Sequence, residues 1–74
     1  MFKKWKLKKQ IERSKNMIEL LEQKRTRSQA ALVEAILNHT SPRDEDVDFF
    51  NRFTAQIEEE RARMHQMMDE LEKM

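Results

Sequence analysis

Asn38-His39-Thr40-Ser41-Pro42-Arg43-Asp44 is the stretch on which the reading of this chain turns. It holds the chain's single proline, and there is no glycine anywhere in the 74 residues. Glycine supplies most turns that need a positive φ, so its absence argues against hairpin β-turns and loop-rich folds. Asn38 and His39 suit a helix C-terminus, because asparagine tolerates the left-handed conformation that glycine would otherwise take. Ser41 suits an N-cap, and Pro42 the first helical position, where its missing N–H costs nothing. Asp44, Glu45 and Asp46 then place three carboxylates where a helix dipole favours them. The stretch therefore reads as one helix ending and another beginning, with a turn at 39–41.

Working outward, the residues before the turn carry a heptad stripe: Leu7, Ile11, Ser14, Ile18, Leu21, Arg25, Ser28, Leu32 and Ala35 alternate spacings of four and three. Met17, Ala31 and Ile36 widen it. The pattern predicts a first helix from about Lys4 to Asn38, roughly 50 Å long at ~1.5 Å per residue. After the turn the stripe reads Phe50, Thr54, Ile57, Arg61, Met64, Met68 and Leu71, with Val47, Phe53, Met67 and Met74 beside it. This predicts a second helix from about Pro42 to Lys73. Two long helices with a short connection pack antiparallel. The expected fold is all-α: a single domain over residues 1–74, a coiled-coil-like antiparallel hairpin. Folding about the turn sets Ile18 against Met64, Leu21 against Arg61, Ser28 against Phe53 and Ile11 against Leu71. Arg25 and Arg61 interrupt the seam, either lying along it with their guanidinium groups in water or pairing with Glu22, Glu58 or Glu60.

A chain this short builds a small core, and without cysteine it has neither disulfides nor thiolate metal sites to reinforce it. Leu20, Leu37, Phe49 and Met67 lie beside or away from the stripe. A homodimer forming a four-helix bundle would cover them. Zero cysteines are compatible with a reducing, cytoplasmic compartment. No apolar run approaches the roughly 18 residues that span a bilayer. The basic N-terminus lacks the apolar stretch of a secretory signal.

Charge is segregated. Residues 1–28 hold ten Lys/Arg against three Glu, while residues 29–74 hold five Lys/Arg against eleven Asp/Glu, so a total of +1 conceals halves of +7 and −6. Such blocks serve as solvated faces, as partners for each other, or as footprints for a ligand. The antiparallel register sets Lys3, Lys4, Lys6, Lys8 and Lys9 beside Asp69, Glu70 and Glu72, so folding itself absorbs part of the polarity.

Three groups are candidates for binding. Asp44, Glu45, Asp46 and Asp48 with Phe49, Phe50 and Phe53 form an aromatic and acidic cluster suited to a basic groove on a protein partner. Lys3, Lys4, Trp5, Lys6, Lys8 and Lys9 suit an anionic ligand: lipid headgroups with Phe2, Trp5 and Leu7 inserted, or nucleic acid with Trp5 stacked on a base. Met64, Met67, Met68 and Met74 supply adaptable thioethers for core or binding surface. A soft-metal site from Met64, His65 and Met68 ranks well below that, and the acidic run lacks the glycine and spaced glutamate of a calcium loop. There is no phosphate loop, nucleophile elbow, zinc pair or triad, and a two-helix hairpin offers little enclosure for catalysis. The sequence reading is a non-enzymatic protein-binding module without cofactor or metal: a regulator, inhibitor or adaptor of a larger protein. Small regulators from bacteria and phages share its size and shape. Nucleic-acid or anionic-membrane binding is the alternative.

Overall fold

The computed structural model describes residues 2–74, which form two helices: α1, Phe2–Leu37, and α2, Asp44–Lys73. They pack along their lengths into a rod of 57 × 15 × 14 Å. Two helices this long, joined by residues 38–43 alone and packed on each other, can only run antiparallel. No helix among the described residues is long and apolar enough to cross a membrane.

The whole expected stripe of α1 is turned inward. Leu7, Ser14, Ile18 and Leu21 are buried, and Ile11, Arg25, Ser28, Leu32 and Ala35 are half-buried. Met17 and Ile36, expected to widen it, are exposed. The centre of the molecule is Ile57 of α2, only 1% exposed, packed with Ile18 and Leu21 and flanked by Phe53 and Met64. Burying a side chain of this size contributes roughly 1.5–3 kcal/mol.

The inward face of α2 differs from the expected one. Asp46, Phe50, Phe53, Ile57, Glu60, Met64, Met67 and Leu71 line it, while Arg61 and Met68 point to solvent. The two heptad frames share Phe50, Ile57, Met64 and Leu71 and differ by one residue at the positions between. Taking Phe53 and Met67 inward buries two large apolar side chains. The other frame would have to cover Arg61, and only Thr54 of its distinct positions is still half-buried. Rotated outward, Arg61 donates to Glu22 Oε1 at 2.8 Å, one residue from the Leu21 contact expected for it. Glu60 enters the seam instead, and its charge is satisfied there. Ser14 Oγ donates to Glu60 Oε1 at 2.8 Å and Arg63 Nη1 donates to Glu60 Oε2 at 3.2 Å.

The connection is built from two different caps. At the end of α1 the Thr40 N–H donates to the Ala35 carbonyl at 2.9 Å and the His39 N–H to the Ile36 carbonyl at 3.1 Å. This is a Schellman motif, and its left-handed residue is His39, with φ at 57°. Asn38, the residue better suited to that conformation, stays in the cap position before it. Thr40 Oγ1 adds a second bond to the Ala35 carbonyl at 3.0 Å. At the start of α2 the expected Ser41–Pro42 cap is displaced by two residues. Arg43 is the N-cap, extended at φ −69° and ψ 140° with no side-chain capping bond. Its carbonyl accepts from the N–H groups of Asp46 and Val47. Asp44, Glu45 and Asp46 fill the first turn, so carboxylates near the dipole supply part of what a capping side chain would.

Candidate interaction surfaces

The acidic and aromatic cluster sits at the turn end, and the fold divides it. Asp46 and Phe50 are drawn into the seam, and Phe53 lies half-buried against the core. Phe50, like Asp46 and Phe53, therefore leaves only part of its surface open to a partner. Asp44, Glu45, Asp48 and Phe49 remain exposed. Phe49 is held rather than loose. Its ring stacks on Phe53 with centroids 6.1 Å apart and planes at 15°, and the Arg52 guanidinium lies 5.9 Å from its centroid. A ring that already accepts a cation on one side, beside three solvated carboxylates, is matched to guanidinium and ammonium groups.

The turn end also exposes apolar surface that the heptad stripe did not single out. Residues 30–37 read Ala-Ala-Leu-Val-Glu-Ala-Ile-Leu, apolar at seven of eight positions. A helix apolar all round is ordinarily covered all round. Here Leu32 and Ala35 face α2, whereas Val33, Ile36 and Leu37 face solvent. The run itself was the available signal, since seven apolar residues in eight exceed what one stripe can use. The Glu22–Arg61 pair marks one face of the hairpin, and two heptads nearer the turn that face carries Ile36 and Val47, both exposed. Val47 therefore joins the α1 residues beside the acidic start of α2.

At the open end Lys3, Lys4, Lys6, Lys8 and Lys9 are all exposed. Among the described residues, none of them forms an ion pair with Asp69, Glu70 or Glu72. The ion pairs there are Glu22–Arg61 and Glu60–Arg63. The intramolecular neutralisation expected between these blocks is therefore not made by direct pairing. Leu7 is buried in the seam, which removes it from the set that could insert into a lipid surface. Phe2 and Trp5 stay exposed, and Lys9 Nζ lies 5.7 Å from the Trp5 ring centroid.

Met64 and Met67 are half-buried, whereas His65 and Met68 are exposed. Among the described residues no three His, Cys, Asp or Glu side chains group to hold a metal ion, the Asp44–Asp48 run included. Comparison with protein-family models, with curated proteins and with solved structures returned no match.

Proposed function

We propose that this hairpin is a non-enzymatic interaction module, a regulator, inhibitor or adaptor that acts by docking the start of α2 on a larger protein. The observation that carries this reading is Phe49, ordered by Phe53 and exposed beside Asp44, Glu45 and Asp48. An exposed, ordered aromatic ring can anchor in a partner pocket, and the carboxylates around it are complementary to a basic groove. Arginine or lysine side chains of the partner would replace Arg52 over the ring, while the carboxylates raise the rate of encounter and fix orientation. Val47 and Ile36 extend the apolar part of the contact.

The experiment is affinity capture from the native host with wild-type protein, Phe49→Ala and Asp48→Lys, each checked for unchanged helicity. A single stoichiometric protein, recovered by the wild type and lost with both variants, is the expected result. Recovery of the same protein by all three, or of none by the wild type, refutes the reading.

A further inference from the structure

We infer that a second copy of this chain covers the outward side of α1, in an antiparallel two-fold dimer in which the two α1 helices lie side by side along their full length. This inference concerns α1 and stands independently of the partner surface on α2.

The seam residues of α1 define its heptad frame. Half a turn away from them run Phe2, Trp5, Lys9, Glu12, Asn16, Glu19, Gln23, Thr26, Ala30, Val33 and Leu37, again alternating spacings of three and four. This outward line is polar in the middle and apolar at both ends. Phe2 is 85% exposed, Trp5 60%, Leu37 73% and Val33 46%, and Leu20, beside the line at its middle, is 46% exposed. At the turn end the line forms a shallow groove among Thr26, Gln29, Ala30, Val33, Glu34 and Leu37. A hairpin alone has no use for apolar side chains at the two extremities of its outer face.

A two-fold partner does. A two-fold axis between Glu19 and Leu20 sets Phe2 against Leu37 of the second copy. The same operation sets Trp5 against Val33, Lys9 against Ala30, and Lys6 beside Glu34. Leu20 meets its own counterpart at the axis. An isologous contact makes each of these pairs twice.

Charge selects the antiparallel direction. Residues 2–9 carry five lysines and no acid, whereas residues 28–37, the turn end of α1, carry one charge, Glu34. Antiparallel overlap sets Lys6 of each copy beside Glu34 of the other and keeps the two basic ends apart, whereas parallel overlap stacks lysine on lysine. The cost falls at the axis, where Glu19 faces itself.

The chain has no cysteine, so single introduced thiols report on this geometry without background. Under mild oxidation of the full chain, Leu20→Cys and Glu19→Cys should each form a disulfide-linked dimer. Leu37→Cys alone should not, but mixed with Phe2→Cys it should give the cross-linked heterodimer. Light scattering should return twice the 9.1 kDa chain mass. Val33→Glu should raise the dissociation constant at least about tenfold with helicity retained, and Glu19→Gln should lower it several-fold. Three results overturn the proposal: one-chain mass at every concentration up to the millimolar range, Leu37→Cys linking to itself in preference to Leu20→Cys, or Trp5 fluorescence shifting on anionic vesicles or nucleic acid while the protein is a monomer in solution.

Discussion

His39 holds the left-handed position of a turn that has no glycine to offer. An L-residue there gives up roughly 1–2 kcal/mol, while glycine would bring back a backbone entropy term of roughly 0.5–1 kcal/mol. His39→Gly should therefore stabilise the hairpin by about 0.5–1 kcal/mol, raising Tm by a few degrees in a thermal circular-dichroism scan. His39→Val, β-branched at positive φ, should lower it. That the first helix is capped near Asn38 and His39 was legible from the sequence. Which of the two took the strained position was not, because either satisfies the local chemistry and the bonds from His39 and Thr40 to the last carbonyls decide between them. Ser14 and Glu60 make a second residue-scale case. Ser14 is 5% exposed and donates to a carboxylate placed on the seam. Ser14→Ala should cost about 1–2 kcal/mol in urea unfolding, since hydrogen bonds to charged groups are worth about 1.5–3 kcal/mol and Arg63 continues to serve Glu60. Ser14→Ala combined with Glu60→Leu should recover most of that loss, because removing both polar partners leaves no orphaned charge.

At the scale of the element, the seam of α1 was readable to the residue, though Met17 and Ile36, expected beside it, are exposed, and α2 was readable only to within one rotation. Nine seam positions of α1 alternate without competition, and all nine face inward. In α2 two frames are apolar enough to compete, and Thr54, Arg61 and Met68 looked as regular as Phe53, Glu60 and Met67. The larger burial of Phe53 and the solvation of Arg61 break the tie, and spacing alone does not weigh either. Substitution tests the frame directly. Met67→Ala should destabilise by at least 1 kcal/mol, whereas Met68→Ala should stay within about 0.5 kcal/mol, the ordinary range for surface changes. Ile57→Ala, at the centre, should cost about 2–5 kcal/mol, enough to unfold a hairpin with so small a core. The start of α2 is open to improvement for a related reason. Arg43 offers no side-chain cap, so Arg43→Ser should stabilise by up to about 1 kcal/mol, read as a higher urea midpoint.

For the whole molecule, the decisive quantity is how little of the charge is spent on the fold. The chain reads from its sequence as a dipole closing on itself, with lysines 3–9 beside the acids of residues 69–72. The packed hairpin instead keeps those lysines exposed, and its ion pairs among the described residues are Glu22–Arg61, about half exposed on both sides, and the i,i+3 pair Glu60–Arg63. Long lysine side chains on an outward-turned helix end lose rotamer entropy if they reach for a partner, and in high dielectric the gain is small. Register could be inferred from spacing, but this balance could not. It follows that salt should act hardly at all on folding, and on association only through the proposed dimer. At dilutions where the protein is a single chain, raising sodium chloride to about 0.5 M shortens the screening length to a few Å. The urea midpoint should then move by less than the equivalent of about 0.5 kcal/mol, since surface pairs contribute about 0–1 kcal/mol each. For the proposed dimer, the same salt at high protein concentration should lower the midpoint, because mass action adds dimer stability that screening reduces. A large salt effect already present at high dilution would show that the lysine-rich end pairs with the acidic end of α2 within one chain, and that the outward face of α1 is not where its charge does its work.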